Sequence, residues 1–232
     1  MQCHPIGVIE SPFKERFGIP RQAGLATAAV ATLRLLPPFA NVDAVRGLSE
    51  FSHVWIIFHF ADSELREGQL TVRPPRLGGN ERLGVFATRS PFRTHSIGMS
   101  AVRLLAVDTS DGKVCLRLAG GDFLDGTEVL DIKPYVPYAD SIPSAQASFA
   151  THPPSAALAV EFSAAALAVL HDSASAWPNL RELIIQSLQL DPRPAYQADD
   201  GDGRQYGMRL YDFDVKWVVA NNTAMVVAIE KV

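Results

Sequence analysis

Cysteine is almost absent from this chain. Cys3 and Cys115 are the only two among 232 residues, and they stand far apart. No pair lies at metal-ligand spacing, so no structural zinc site is expected, and a reduced, cytoplasmic protein is the simplest reading. Long apolar runs are missing too. None reaches the ~18 residues of a membrane span. The stretch from Ser155 to Leu170 comes nearest, but it is alanine-rich and broken by Glu161 and Ser163. The residues MQCHPIGVIESPF show no basic region followed by an apolar one, so no signal peptide is expected. There is no P-loop, no glycine-rich dinucleotide fingerprint after a strand and no serine in a nucleophile elbow. The acidic loop Asp199 to Gly203 hints at a calcium site. Counting from Asp200, however, the twelfth position is Tyr211, where a bidentate glutamate is needed. The common routes to an NTPase, a dehydrogenase or a serine hydrolase are closed, no metal is expected, and no internal repeat is visible.

What is present is a globular composition, 47% apolar, with a formal net charge of -4. That balance argues against indiscriminate coating of nucleic acid but leaves room for a local basic patch. The stretch Arg73 to Ser100 supplies one. It sets Arg73, Arg76, Arg82, Arg89 and Arg93 against a single acid, Glu81. It turns at Gly78-Gly79-Asn80, predicts a strand over Leu83 to Thr88, and continues through a polar loop from Arg89 to Ser96. Arginines on such a frame suit a bound anion, because the guanidinium fork pairs with carboxylate or phosphate at two points. A solvated arginine-rich hairpin satisfies the same residue types.

Along the chain, short apolar alternations bounded by turn residues dominate the first 142 residues. Strands are predicted over Ile6–Ile9, Ala28–Leu36, Phe51–Phe60, Met99–Val107, Lys113–Ala119 and Val129–Lys133, with a short helix or turn over Val42–Leu48. In Phe51–Phe60, Val54, Ile56, Phe58 and Phe60 share one face, and His53, Trp55, Ile57 and His59 the other. His59 is either a site residue or a half-buried, hydrogen-bonded histidine. Pro20-Arg21-Gln22 is either a rigid kink carrying two donors or a surface turn. The fold class implied is mainly β, an antiparallel β-barrel or sandwich. Residues 143–155, rich in Ser, Ala and Pro, read as a linker. Beyond them, a smaller α+β domain over 156–232 is expected. It has a strand at Leu158–Phe162, a helix capped by Ser163, a helix over Pro178–Leu190, an Asp191–Pro194 segment held extended by two prolines, and a hairpin of Tyr206–Val219 with Thr223–Glu230 across Asn221-Asn222.

Several blocks resemble one family. RPPRLGGNERLG (Arg73 to Gly84), with VFATRSPFR and IGMS after it, is similar to the signature of the TsaA-like family, also called TrmO or YaeB. IGVIESPFKERFGIPRQ (Ile6 to Gln22), AVRGLSEFSHVWIIF (Ala44 to Phe58), LDGTEVLDIKPYVPYADS (Leu124 to Ser141) and DPRPAY (Asp191 to Tyr196) match in order. The resemblance implies a TsaA-like β-barrel. It also implies an S-adenosyl-L-methionine-dependent methyltransferase acting on N6 of the threonylcarbamoyl-adenosine next to the anticodon of tRNA, threonine tRNA first, as a homodimer. Cofactor contacts are implied for Pro20, Arg21, Gln22, Phe60, Ala61, Arg89, Met99 and the turn Leu124, Asp125, Gly126, Thr127. Contacts to tRNA are expected from Arg73, Arg76, Arg82, Arg93 and Arg193. His95 and Asp125 are the candidates for a base, with positioning and water as the alternative. A non-catalytic cofactor- or RNA-binding module, or a methyltransferase of another substrate, are the rival readings. One departure stands out. The family usually reads Arg-Pro-Asn-Pro-Ile-Gly where this chain has Arg93-Thr94-His95-Ser96-Ile97-Gly98.

Overall fold

Six of the alternating segments close on one another. In the computed structural model, which describes residues 3–61, 63, 70–77, 81–193 and 203–232, strands β1 (Gly7–Glu10), β2 (Val30–Leu35) and β3 (His53–His59) are followed by a short pair, β4 (Thr71–Val72) and β5 (Leu83–Gly84), and then by β6 (Ile97–Asp108), β7 (Cys115–Ala119) and β8 (Glu128–Pro134). The order β1-β2-β7-β6-β3-β8 makes a closed barrel, antiparallel at every pairing. Closure removes the open sheet edges, which otherwise template aggregation. Alternate residues fill the interior: Ile9, Leu33, Val54, Ile56, Phe58, Val102, Leu116, Leu118 and Val129 are all buried there. The predicted segment over Val42–Leu48 is helical only in 3-10 turns, at Val42–Val45 and Leu48–Glu50, the first capped by the Asn41 side chain on the Asp43 N–H.

The second unit follows a short helix α1 (Pro137–Asp140) and irregular chain. It comprises β9 (Ala159–Phe162), α2 (Ala164–Ser173), α3 (Leu180–Gln189), β10 (Gln205–Leu210), β11 (Phe213–Ala220) and β12 (Thr223–Lys231), with sheet order β10-β11-β12-β9. Ser163 caps α2 by accepting the Ala166 N–H, as its residue type and position predict. Helix α3 buries Leu180, Leu183, Ile184 and Leu188 against the sheet.

Three expectations are corrected. The strand over Leu83–Thr88 stops at Gly84. Val85–Ala87 is a 3-10 turn, closed by Thr88 N on Val85 O, that leaves Phe86 81% exposed. Tyr206–Val219 is not one strand but two, since Tyr211 (φ 52°) turns the chain between β10 and β11. Asp191 is not extended before Pro192. Its φ is 44°, and its carboxylate turns back onto Arg193. The predicted turn Gly78–Asn80, residues Asp199–Asp202 of the acidic loop and Pro194–Tyr196 lie outside the described residues.

The two cores are not divided cleanly along the chain. Phe13, Ala26 and Ala29, from the connection between β1 and β2, belong to the core of the second unit, with Trp217, Met208 and Leu210. Backbone bonds reinforce this, from Lys14 N to Arg209 O (3.4 Å) and from Tyr211 N to Pro12 O (2.7 Å).

Candidate functional site

Alternating strand direction decides where the site sits. The connections β1–β2, β3–β6 and β7–β8 all leave the same rim of the barrel, so residues 11–29 and 120–127 and the described residues between β3 and β6 are gathered there. Between them lies a cleft of about 960 Å³, at the upper end of the range for a small-molecule pocket.

The β7–β8 connection is tied down on every side. Gly120 exchanges backbone bonds with the β1–β2 connection, accepting from Gly24 N (2.8 Å) and donating to Ala29 O (2.9 Å). The turn Leu124–Thr127 closes on itself through Thr127 Oγ1 to Leu124 O (2.6 Å). Ser11 donates its Oγ to Phe123 O (2.7 Å) and its N–H to Asp125 Oδ1 (2.8 Å). Lys14 Nζ meets Asp125 Oδ2 at 2.9 Å. Asp125 was a candidate base, but both its oxygens are engaged, one by a cation. Its side chain braces the turn, and the turn borders the cleft.

From the β1–β2 connection, Pro20, Arg21 and Gln22 face the cleft. Burial lowers the Arg21 pKa, Asp191 opposes that, and Arg76 adds to it; the second unit's carboxylate and the arginine hairpin both lie close to this loop. Gln22 Oε1 accepts from Arg89 Nη1 at 2.9 Å, which joins two rim connections across the mouth. The β3–β6 connection contributes Phe60 and Ala61, then Arg89, Arg93 and the exposed His95. Met99 lines the cleft from β6, 49% exposed. Every residue expected to touch the cofactor therefore borders one cavity.

The departure at residues 94–96 has a structural reading. Ser96 has φ 43° and donates its N–H to Arg93 O (3.2 Å) and its Oγ to Ser63 O (2.7 Å). A proline has neither that φ nor an N–H. Hydrogen bonds hold this loop where ring constraint would otherwise do so.

The arginines divide. Arg93 reaches the cleft and donates to Thr88 O (3.1 Å). Arg73, Arg76 and Arg82 are exposed on the β4–β5 hairpin, outside the cleft lining; Arg76 donates to His152 O (2.6 Å) and Arg82 to Thr71 Oγ1 (3.1 Å). Arg193 does not join them. It is 5% exposed, and its Nε and Nη2 each donate at 2.8 Å to Asp191. It is a buried clamp on its own turn, and its expected place on a basic face is corrected.

Three residues of the site have no counterpart among the sequence expectations. Asp122 lines the cleft and accepts from Ser100 Oγ at 2.6 Å. Gly120-Gly121-Asp122 reads as turn composition, which hides an acid. Phe86 and Phe92 stand at the mouth as exposed aromatics. Among the described residues, no group of three or more His, Cys, Asp or Glu could hold a metal ion, and no helix is long and apolar enough to cross a membrane.

Known proteins share both the sequence and the fold of this chain. Two family models match, the tRNA-methyltransferase O N-terminal domain over residues 8–141 and the TrmO C-terminal domain over residues 155–232. A tRNA (adenine(37)-N6)-methyltransferase of Escherichia coli strain K12 is 47% identical over 229 residues, 99% of this chain and 97% of that protein. A Pseudomonas aeruginosa protein, provisionally named S-adenosylmethionine-dependent methyltransferase RcsF, is 51% identical over 92% of this chain and 90% of its own length. A crystal structure of TrmO from Pseudomonas aeruginosa superposes with a TM-score of 0.83 at 42% identity, covering 100% of this chain and 97% of that one.

Proposed function

The chain belongs to the tRNA-methyltransferase O family, and from that premise we propose that it is an S-adenosyl-L-methionine-dependent methyltransferase. Its substrate is N6 of the threonylcarbamoyl-adenosine beside the anticodon of tRNA. The observation that carries this reading is the convergence of three separate rim connections, with all their expected cofactor residues, on one cleft. The lining fits such a cofactor. Phe58, Phe60, Ile19 and Leu124 give apolar walls for a purine, and the Gln22–Arg89 pair offers amide and guanidinium donors to a carboxylate or ribose.

When bound, the cofactor supplies a methyl group activated by its sulfonium. The protein's task is then to hold the target nitrogen in line, to shield it from water and to settle charge. Arg93 lies where it can meet a phosphate of the anticodon loop, and Phe86 and Phe92 can stack on bases splayed out of it. Arg73, Arg76 and Arg82 extend the positive surface beyond the mouth. The working unit is a cytoplasmic homodimer. Support for pairing comes from the outward face of β6, where Ile97, Met99 and Leu105 are 46%, 49% and 42% exposed. The chain works as two domains, 1–142 for the cofactor and 156–232, with 143–155 between them.

Mass spectrometry of tRNA nucleosides tests the reading. A strain lacking this protein should lose the N6-methylated threonylcarbamoyl-adenosine and regain it from a plasmid copy. Unchanged nucleosides in the deletion strain would refute the assignment.

A further inference from the structure

The target nitrogen carries a hydrogen and lies between a purine ring and a carbamoyl carbonyl, so its lone pair is delocalised. Methyl transfer to it leaves one proton to be removed. Of the two acids among the described residues that line the cleft, Asp125 is held by Lys14 and the Ser11 N–H. The other is Asp122, and its surroundings differ. It follows β7 on the barrel rim, is half-buried, and takes neutral donors, Ser100 Oγ at 2.6 Å and the backbone N–H groups of Ala23 and of Asp122 itself. Ser100 is itself buried on the inward face of β6. A carboxylate accepts at about four lone-pair positions, so these donors leave capacity toward the cleft.

Resting on the methyltransferase reading, we propose that Asp122 takes the N6 proton of the substrate adenosine as the methyl group arrives. As the nitrogen–carbon bond forms, the methyl carbon–sulfur bond breaks with its electron pair going to sulfur. The N–H bond gives its pair to nitrogen, and the proton goes to the Asp122 carboxylate and then to water. Burial raises the Asp122 pKa, with Ser100, the backbone and Arg89 opposing. That direction suits a base, since a carboxylate of ordinary pKa holds a proton poorly at neutral pH. Among the described residues, the charged and titratable groups around the cleft are Arg89 and Arg93 on the β3–β6 connection, Arg16 and Arg21 on the first connection, His59 and His95 at the rim, and Asp125 with its Lys14.

Two measurements on the full chain test this. In protein labelled at the aspartate carboxyl carbons, the NMR resonance that vanishes in Asp122→Asn should titrate above the usual aspartate range. Titration at or below that range overturns the proposal. In single-turnover methylation of modified tRNA, the wild-type rate should rise with pH through that same pKa. Asp122→Asn should lie about 100-fold or more below it, without that rise, and keep cofactor affinity within about threefold. His95→Asn and His59→Gln should retain the rise. A fall of less than about tenfold with the pH dependence intact sinks the assignment. So does a tenfold loss of cofactor affinity with the saturated rate preserved, which would make the carboxylate a cofactor contact. Wild-type protein that transfers no methyl group to this tRNA would refute the underlying reading instead, and this proposal with it.

Discussion

Gly98 stands opposite Phe58 across the β3–β6 pair. An alanine methyl at Gly98 would lie 2.3 Å from Phe58 Cζ, 2.5 Å from Cε2 and 2.8 Å from Cε1. Carbon atoms rest at about 3.5–4.0 Å, so the ring would have to retreat by about 1 Å or more. It has little room to do so. Phe60 meets it edge-on at 4.9 Å between centroids, and Phe123 stands perpendicular at 5.2 Å. Overpacking of this kind costs about 1–3 kcal/mol, and each kcal/mol lowers Tm by about 2–4 °C in a chain of this size. Because Phe58 and Gly98 both line the cleft, affinity for S-adenosyl-L-methionine should fall as well. Calorimetric melting of Gly98→Ala checks the first point and titration calorimetry the second. Gly84→Ala is the control, since a methyl there meets nothing within 4 Å and φ is -59°. In the Gly98→Ala background, Phe58→Leu should recover stability, with a coupling of about 1 kcal/mol or more. If Gly98→Ala melts with the wild type, or if Phe58→Leu simply adds its own loss, the packing argument is wrong.

Arg89→Ala should weaken cofactor binding by about 10- to 100-fold, the cost of one charge-assisted bond, and Arg73→Ala hardly at all; equal small effects by calorimetry would remove Arg89 from the site. Asp191→Asn leaves the Arg193 guanidinium buried without its carboxylate and should cost about 3–5 kcal/mol in denaturant unfolding, whereas Asp191→Leu combined with Arg193→Met should recover much of that loss. In tRNA binding across a salt series, Arg76→Ala should shallow the log–log slope by about one unit. Arg193→Ala should lower stability and leave the slope alone, and the opposite pattern would restore Arg193 to the basic face.

Much of the barrel was legible because burial on one side of a strand writes itself as alternation. FSHVWIIFHF predicts β3 with its inward face, and the structure differs only at the ends. Ser163 and the apolar spacing of α3 were equally readable, since capping and amphipathicity are local. The break between β10 and β11 was not. It falls at Tyr211-Asp212, without glycine or asparagine to mark it, so the positive φ of Tyr211 is imposed by the sheet it joins. Asp122 escaped notice for a related reason. It is held by donors from Ser100 and Ala23, both distant in sequence, and single-chain patterns carry no information on such neighbours. Arg193 misled in the other direction. A guanidinium flanked by prolines looks presented, and only the left-handed turn at Asp191 folds it inward.

The segment that carries Pro20, Arg21 and Gln22 is anchored by residues made near the other end of the chain. Phe13 shares a core with Trp217 and bridges to Leu210, and Pro12 O waits for Tyr211 N. At synthesis rates of about 5–20 residues per second, roughly ten seconds or more separate the emergence of this loop from that of its supports. During that time the barrel strands can pair while one wall of the cleft stays slack. A ribosome-bound chain stopped before β10 should therefore have low affinity for the methyl donor. Catalytic competence arrives with the last strands, so a prematurely terminated protein would not linger in the cell as a sink for cofactor or as a decoy for tRNA.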